Sequence, residues 1–319
     1  MNLNLLGLGS AIIDFAPTNL GVPLSEVEGF TPYAGGAVAN VIVAASRLGL
    51  RTGFLGTVGD DEFGTFILRD FRREGVDVSH VKIVKGMATG IAFYSVDKRG
   101  ERHYVFYRFP GYSDTEGTLK PEDIDAEYIA QSKAIHFSES MLRRRSSREA
   151  VFKVLQVSKQ LGLLISYDPN VRLALWDDKD EFLRVQRKVL SLIDVFLSTA
   201  DELMLLTEEK AVEKAIERVM DIGLSILLIR GRDRYHVITP DLDSWVPIFR
   251  VRAVDTSGAG DAFDAGFLMG LLKNWPLNKA VELGSAVAAL KIMKAGTREG
   301  LPRIEESLEF IKKRKSSTK

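Results

Sequence analysis

The sequence predicts an α/β protein with a mostly parallel sheet covered by helices on both faces and a small β appendage. Three observations carry this. Short apolar runs alternate with helix-length amphipathic segments along most of the 319 residues, which is the rhythm of crossover units. One stretch breaks the rhythm with two consecutive strand-like runs joined by Asp97-Lys98-Arg99-Gly100, a hairpin signal. Near the C-terminal end a glycine-rich turn stands directly ahead of an apolar helix.

Taken in chain order, residues 3–15 read as one strand running on past Gly7 and Gly9, and 37–48 as a helix with Gly49 at its C-cap. Residues 52–58 read as a strand, and 61–74 as a helix ending before Gly75. Segments 89–96 and 101–109 form the hairpin. Bulky residues fill nearly every position of Tyr104-Val105-Phe106-Tyr107-Arg108-Phe109, which predicts a strand buried on both faces. The pattern leaves open whether this hairpin is a lid over a site at the C-terminal edge of the main strands or an ordinary edge hairpin. The rhythm then resumes, with strands at 134–137, 163–167, 195–197 and 225–229 and helices at 147–160, 179–192, 201–206 and 212–220. A strand-like run at 245–251 leads to the helix 262–272.

The length fits one large α/β domain, alone or with a small appendage. Net charge is zero, so no global field favours nucleic acid or an anionic membrane. There is no cysteine, which excludes disulfides, thiolate metal sites and a thiol nucleophile. The opening MNLNLLGLGS has no basic start of a secretion signal, and no apolar run approaches the roughly 18 residues of a membrane span. A cytoplasmic enzyme is the expectation. The basic tail 312–319 reads as a solvated terminus.

The strongest chemical signal is Asp255-Thr256-Ser257-Gly258-Ala259-Gly260-Asp261. Small residues let backbone N–H groups approach a ligand, and a helix start adds the positive end of its dipole. Such a cluster suits a phosphoryl group in transfer. A carboxylate beside it, Asp261, is placed to take the proton of an attacking hydroxyl. The competing reading is a plain glycine turn with Asp261 as N-cap. A Walker loop is excluded because no Gly-Lys pair occurs, and a dinucleotide fingerprint is disfavoured because Phe263 stands where its third glycine belongs. His80, His103, His136 and His236 show no ligand spacing.

A second signal is Tyr33-Ala34-Gly35-Gly36-Ala37-Val38-Ala39-Asn40. A mid-helix asparagine in an apolar run needs a hydrogen-bonding reason, either a polyol or a partner in the core. A third is Asp168-Pro169-Asn170-Val171-Arg172 at a strand's C-terminal end, where open sheets bind ligands. Arg172 either holds an anion or closes a structural ion pair. Asp14 ends the first strand on the same side, with a carboxylate suited to sugar diols.

Together these residues resemble the ribokinase/PfkB family of carbohydrate kinases, from Gly7 to Pro302. Asp255 to Asp261 resembles the family's C-terminal signature, and Gly35-Gly36 with Asn40 its N-terminal one. The resemblance implies one ribokinase-like domain over 1–319, a three-layer α/β/α sandwich with a small β-sheet lid from about 12–33 and 88–110 that pairs in a homodimer. It implies transfer of the ATP γ-phosphoryl group to a sugar hydroxyl, with Asp261 as base and the amides of Gly258, Ala259 and Gly260 as anion hole. Asp14, Gly35, Gly36, Asn40, Arg108, Asp168 and Arg172 would meet the sugar. Asn170, Thr199, Glu202, Arg230, Gly231 and Ser285 would lie on the ATP side, together with Gly258 and Gly260. Glu202 would place Mg2+ through water, and Asp255 and Ser257 would hold a monovalent cation such as K+. Thr199 departs from the family's asparagine, and Arg234 from a glycine. Asp168 to Arg172 with Leu175-Trp176, and Tyr107-Arg108, are similar to the branch of fructokinases and 2-keto-3-deoxygluconate kinases. Fructokinase comes first, 2-keto-3-deoxygluconate kinase second, a ribokinase or nucleoside kinase third. A sugar-binding sensor on the same fold is the non-enzymatic alternative.

Overall fold

The computed structural model describes residues 2–98, 102–107 and 115–316. In chain order the strands and helices are β1 (Leu5–Leu8), β2 (Ile12–Pro17), β3 (Phe30–Gly35), α1 (Ala37–Arg47), β4 (Thr52–Gly59), α2 (Glu62–Arg73), β5 (Val81–Val84), β6 (Ile91–Val96) and β7 (Arg102–Phe106). They continue with α3 (Ala126–Ala130), β8 (Ala134–Phe137), α4 (Arg145–Gln160), β9 (Leu164–Tyr167), α5 (Lys179–Leu190), β10 (Val195–Thr199), α6 (Ala200–Thr207), α7 (Val212–Asp221) and β11 (Ile226–Arg230). Then come β12 (Arg234–Thr239), β13 (Leu242–Pro247), α8 (Ala259–Leu272), α9 (Leu277–Ile292) and α10 (Ile304–Ser316).

Nine strands form the main sheet in the order β13-β12-β11-β10-β9-β8-β1-β4-β5. The run from β5 to β11 is parallel, and β12 and β13 add antiparallel at one edge. Every residue of β4 is buried, as expected for a parallel strand covered on both faces. One apolar layer packs α3 to α7 on the sheet, with Tyr128, Val154, Phe182, Leu203 and Val219 at its centre. The opposite layer packs α1, α2, α8 and α9, through Val41, Ile67, Leu268 and Leu283. The result is an α/β/α sandwich.

A second sheet of four strands, β3-β2-β6-β7, stands apart. It corrects the reading of residues 3–15 as one strand. The chain leaves the main sheet after Leu8 and re-forms as β2 in the small one. Gly7 and Gly9 mark the exit, since a Cβ at either would lie 2.4–2.6 Å from Ile42 or Val38 of α1. Sheet membership is set by that helix packing, which local pattern does not reveal. The hairpin forms with Val96 opposite Arg102, but β7 is an edge strand. Its residues alternate, His103 and Val105 facing outward and Tyr104 inward, so it is not buried on both faces. The run expected at 245–251 belongs to β13, which ends at Pro247. Its hairpin partner β12 was not anticipated, because its polar ends mask the apolar centre Tyr235 to Ile238.

Candidate active site

The C-terminal ends of the parallel strands converge on one cleft of about 330 Å³, enough for a small ligand. β1 is followed by Ser10, β8 by Ser138 to Ser140, β9 by Asp168 and Asn170, and β11 ends at Arg230, all of them lining it. β2 contributes Asp14 and Ile12, β7 contributes Arg102, Tyr104 and Phe106, and the opposite wall is Thr256 to Asp261. The small sheet therefore covers the cleft.

α8 begins at Ala259, three residues earlier than its apolar pattern alone marks. Gly258, not Asp261, is its N-cap, in a left-handed conformation (φ 65°) that favours glycine. Asp261 is the third helical residue and faces the cleft. Among the described residues, the N–H groups of Gly258, Gly260 and Asp261 donate to no protein acceptor, while the Ala259 N–H closes a turn on the Thr256 carbonyl at 3.2 Å. The turn thus takes up the Ala259 N–H expected in the anion hole, while the neighbouring Asp261 N–H has no protein acceptor among the described residues.

The Asp261 carboxylate accepts a hydrogen bond from Asn40 Nδ2 at 2.8 Å. Burial pushes its pKa up to about 6, against the lowering effect of that bond. Asn40 lines the cleft, and one hydrogen of its amide is committed to Asp261. Its Oδ1 accepts from Arg298 Nε at 2.8 Å, and Arg298 is anchored in turn on Asp70. A buried relay, Asp70–Arg298–Asn40, therefore fixes the carboxylate. Replacing Asn40 with alanine removes the bond that lowers the Asp261 pKa, so the acid limb of kcat/KM should move above its wild-type midpoint near pH 6. A pH–rate profile measures this, and an unshifted limb would remove Asn40 from the relay.

Asp14 is buried and lines the cleft. Gly35 makes its place: a Cβ there would lie 2.2 Å from Asp14 Oδ2. Gly35 thus acts through Asp14 and does not itself line the cleft. Gly36, at φ 104°, turns the chain into α1 and does line it. Arg172 reaches the cleft with its guanidinium on the carbonyls of Val171 (2.9 Å) and Asn170 (3.4 Å). Arg108 lies outside the described residues.

Two residues assigned to ligands are committed to each other. Arg230 grips Asp168 through two bonds of 2.9 and 3.0 Å and also donates to Asp264 at 2.9 Å. Burial alone would raise the Asp168 pKa, but the guanidinium holds it below the ordinary range. Burial and the adjacent Asp168 charge push Asp264 well above it. The two carboxyl groups share one cation, Arg230. Asp168 and Arg230, expected at the sugar and at ATP, both line the cleft while bonded to each other.

On the expected nucleotide side, Thr199 and Glu202 form the capping box of α6. Glu202 also accepts from the Val171 N–H at 3.0 Å. With both carboxylate oxygens engaged, it suits a metal met through water. Gly231 lets the chain pass the Arg234 carbonyl, 2.6 Å from where a Cβ would lie. Ser285 is buried and accepts from the Phe249 N–H at 3.1 Å. It pins the segment after β13 onto α9. Asp255 and Ser257 also depart from expectation. The Asp255 carboxylate accepts from Arg102 Nη2 (2.9 and 3.0 Å), from Ser257 and from the Gly296 N–H (2.8 Å), and its carbonyl accepts from Lys291 Nζ at 2.9 Å. These donors are protein cations, backbone amides and the Ser257 hydroxyl, which leaves the pair a poor fit to a metal ion.

Sequence reasoning missed Arg102, Lys291, Arg298, Asp264 and the Ser138 to Arg143 wall. The Arg143–Glu116 pair in that wall is buried at 2.7 Å. None of these residues sits in a short motif, and the inward alternation of Arg102 with Tyr104 was the one available hint.

A parallel sheet with a carboxylate beside exposed helix-start amides, under a small covering sheet, defines a phosphotransferase acting on a small hydroxyl compound. Comparison with known proteins narrows the class. The description of pfkB family carbohydrate kinases matches residues 2–304, and the chain belongs to that family and is a sugar kinase. It is 35% identical to a 5-dehydro-2-deoxygluconokinase of Clostridium perfringens, over 98% of this chain and 94% of that protein. It is also 35% identical to the "Probable fructokinase-2" of Arabidopsis thaliana, over 96% and 95%. Among solved structures, an E. coli protein described as a ribokinase II in complex with ATP and Mg2+ superposes with TM-score 0.90 at 26% identity, covering 98% and 99% of the two chains. A fructokinase of Vibrio cholerae bound to fructose, ADP and potassium ion does so with TM-score 0.86 at 27% identity, covering 97% and 99%.

Proposed function

We propose that this chain transfers the γ-phosphoryl group of ATP to a hydroxyl of a ketohexose, with fructose the preferred acceptor. The kinase chemistry rests on one observation: the Asp261 carboxylate faces the cleft beside the uncommitted amides of Gly258, Gly260 and Asp261. Asp261 takes the proton of the acceptor hydroxyl as its oxygen attacks the γ-phosphorus. The amides stabilise the equatorial oxygens of the transferring group, and ADP leaves in line. Glu202 would hold Mg2+ through water, and the ion would neutralise phosphate charge on ATP.

A neutral acceptor is supported by charge pairing. Arg102, Arg143 and Arg230 are already matched by Asp255, Glu116 and Asp168, and hydroxyl-binding groups such as Ser10, Ser140 and Asp14 line the cleft. The second reading, an acidic sugar such as 5-dehydro-2-deoxygluconate, is favoured by the Clostridium relative and by Arg172, whose guanidinium contacts carbonyls and no carboxylate among the described residues. A coupled assay over fructose, 5-dehydro-2-deoxygluconate, 2-keto-3-deoxygluconate, ribose and adenosine decides. Fructose is expected to give the highest kcat/KM, and Arg172→Ala to change it less than about fivefold, within the range of an exposed hydrogen bond. An acidic sugar that outperforms fructose and loses its advantage in Arg172→Ala would establish the second reading.

The protein is further proposed to work in the cytoplasm as a homodimer through the small sheet. Two features support the dimer: β7 is an edge strand among the described residues, and Val105 is exposed on it. Unpaired apolar edges invite pairing. Sedimentation is expected to show a dimer that Val105→Lys weakens; a monomeric wild type would end the idea.

A further inference from the structure

Lys291 is fully buried at the end of α9, and the phosphoryl-transfer steps make no use of it. Its ammonium donates to the Asp255 carbonyl, the first residue of the 255–261 loop. The surrounding contacts make that residue a junction. The N–H groups of Val254 and Asp255 both donate to the Ile292 carbonyl, the Gly296 N–H donates to the Asp255 carboxylate, and Arg102 reaches the same carboxylate from β7. The loop that ends in Asp261 is thus held at its origin by two protein cations, one on the carbonyl and one on the carboxylate. A metal ion placed there would have to displace Lys291 or Arg102, or else sit beside two like charges in a buried site. Asp255 and Ser257 match the family pattern for a monovalent cation, but the groups around them do not leave room for one.

We propose that Lys291 is a built-in monovalent cation. Its ammonium, with Arg102 on the carboxylate, fixes the 255–261 loop in its working geometry, and the enzyme turns over without K+ or Na+. Lys291 is a positioning residue, acting on Asp261 and the helix-start amides through the loop. The inference rests on the kinase reading for its activity arm, and its binding arm is independent of that reading.

The experiment has both arms. Wild-type turnover in potassium chloride and in tetramethylammonium chloride of equal ionic strength is expected to agree within about twofold, since the charge is supplied in cis. Activation by potassium of about tenfold or more overturns the proposal. Lys291→Met is expected to lose about tenfold or more in kcat in the tetramethylammonium salt and to recover when potassium or ammonium is added. Full activity without those ions, or a loss that neither ion repairs, counts against it. The binding arm needs neither turnover nor a folded variant. Wild-type crystals soaked in thallium(I) are expected to show no anomalous peak at Asp255, and wild-type Tm is expected to be the same in both salts. A thallium peak there, or a potassium-specific rise in Tm, overturns the proposal even if every sugar in the panel is refused.

Discussion

Replacing Asp261 with asparagine is expected to cut turnover roughly 10²–10⁴-fold, the scale of a lost general base, while sugar affinity stays close to that of the wild type. The isosteric amide keeps the contact with Asn40 and the shape of the cleft, so the loss isolates proton removal. The same change should raise Tm at neutral pH. A carboxylate whose folded pKa is raised from 3.8 to about 6 binds its proton more tightly folded than unfolded. Its ionisation therefore destabilises the fold progressively between those two values, and the penalty is complete above pH 6. An amide carries no such penalty. Steady-state kinetics and a thermal melt on one preparation read both effects. A variant with near-normal kcat would remove Asp261 from the proton-transfer step.

Arg230→Met has the largest expected effect on stability. The guanidinium is the cation of a buried cluster with Asp168 and Asp264. Removing one partner of a buried ion pair typically costs about 3–5 kcal/mol, because the remaining charge is left without water or counter-charge. The pH dependence identifies the cause. In the wild type, the lowered folded pKa of Asp168 gives stability that is present above its unfolded value near 4 and lost as pH falls through the lower folded value. Without Arg230, burial dominates and raises that pKa. The variant then suffers most at neutral pH and approaches the wild type in mild acid, where Asp168 is protonated. Urea unfolding at pH 7 and pH 5 tests this, and a deficit that does not shrink in acid would show that lost packing is the origin.

Much of the site was legible in the sequence because its parts are local. Gly258, Gly260 and Asp261 fall within four consecutive positions, and their meaning follows from the conformational freedom of glycine and the orphan amides of a helix start. The alternation of strands and helices fixed the layers for a similar reason, since burial patterning repeats within each element. What could not be read is what distant segments do to one another. Asn40 meets Asp261 across 221 positions, Arg298 meets Asn40 across 258, and Arg102 meets Asp255 across 153. No local period announces such pairings. The exit of the chain after Leu8 and the early start of α8 have the same origin, because helix packing against Gly7 and the turn at Gly258 override the apolar pattern. Asp168 and Arg230 line the cleft and Ser285 lies in α9, and each is hydrogen-bonded to a protein partner. A residue's position in a motif locates it without saying whether its hydrogen-bonding capacity is still available.

A crystal structure of the ternary complex with fructose and a non-hydrolysable ATP analogue tests the central assignment most directly. The expected result places one sugar hydroxyl within hydrogen-bond reach of the Asp261 carboxylate and in line with a γ-phosphate seated on the Gly258 and Gly260 amides. A γ-phosphate bound away from those amides, with Asp261 contacting Asn40 and no sugar hydroxyl, would contradict it.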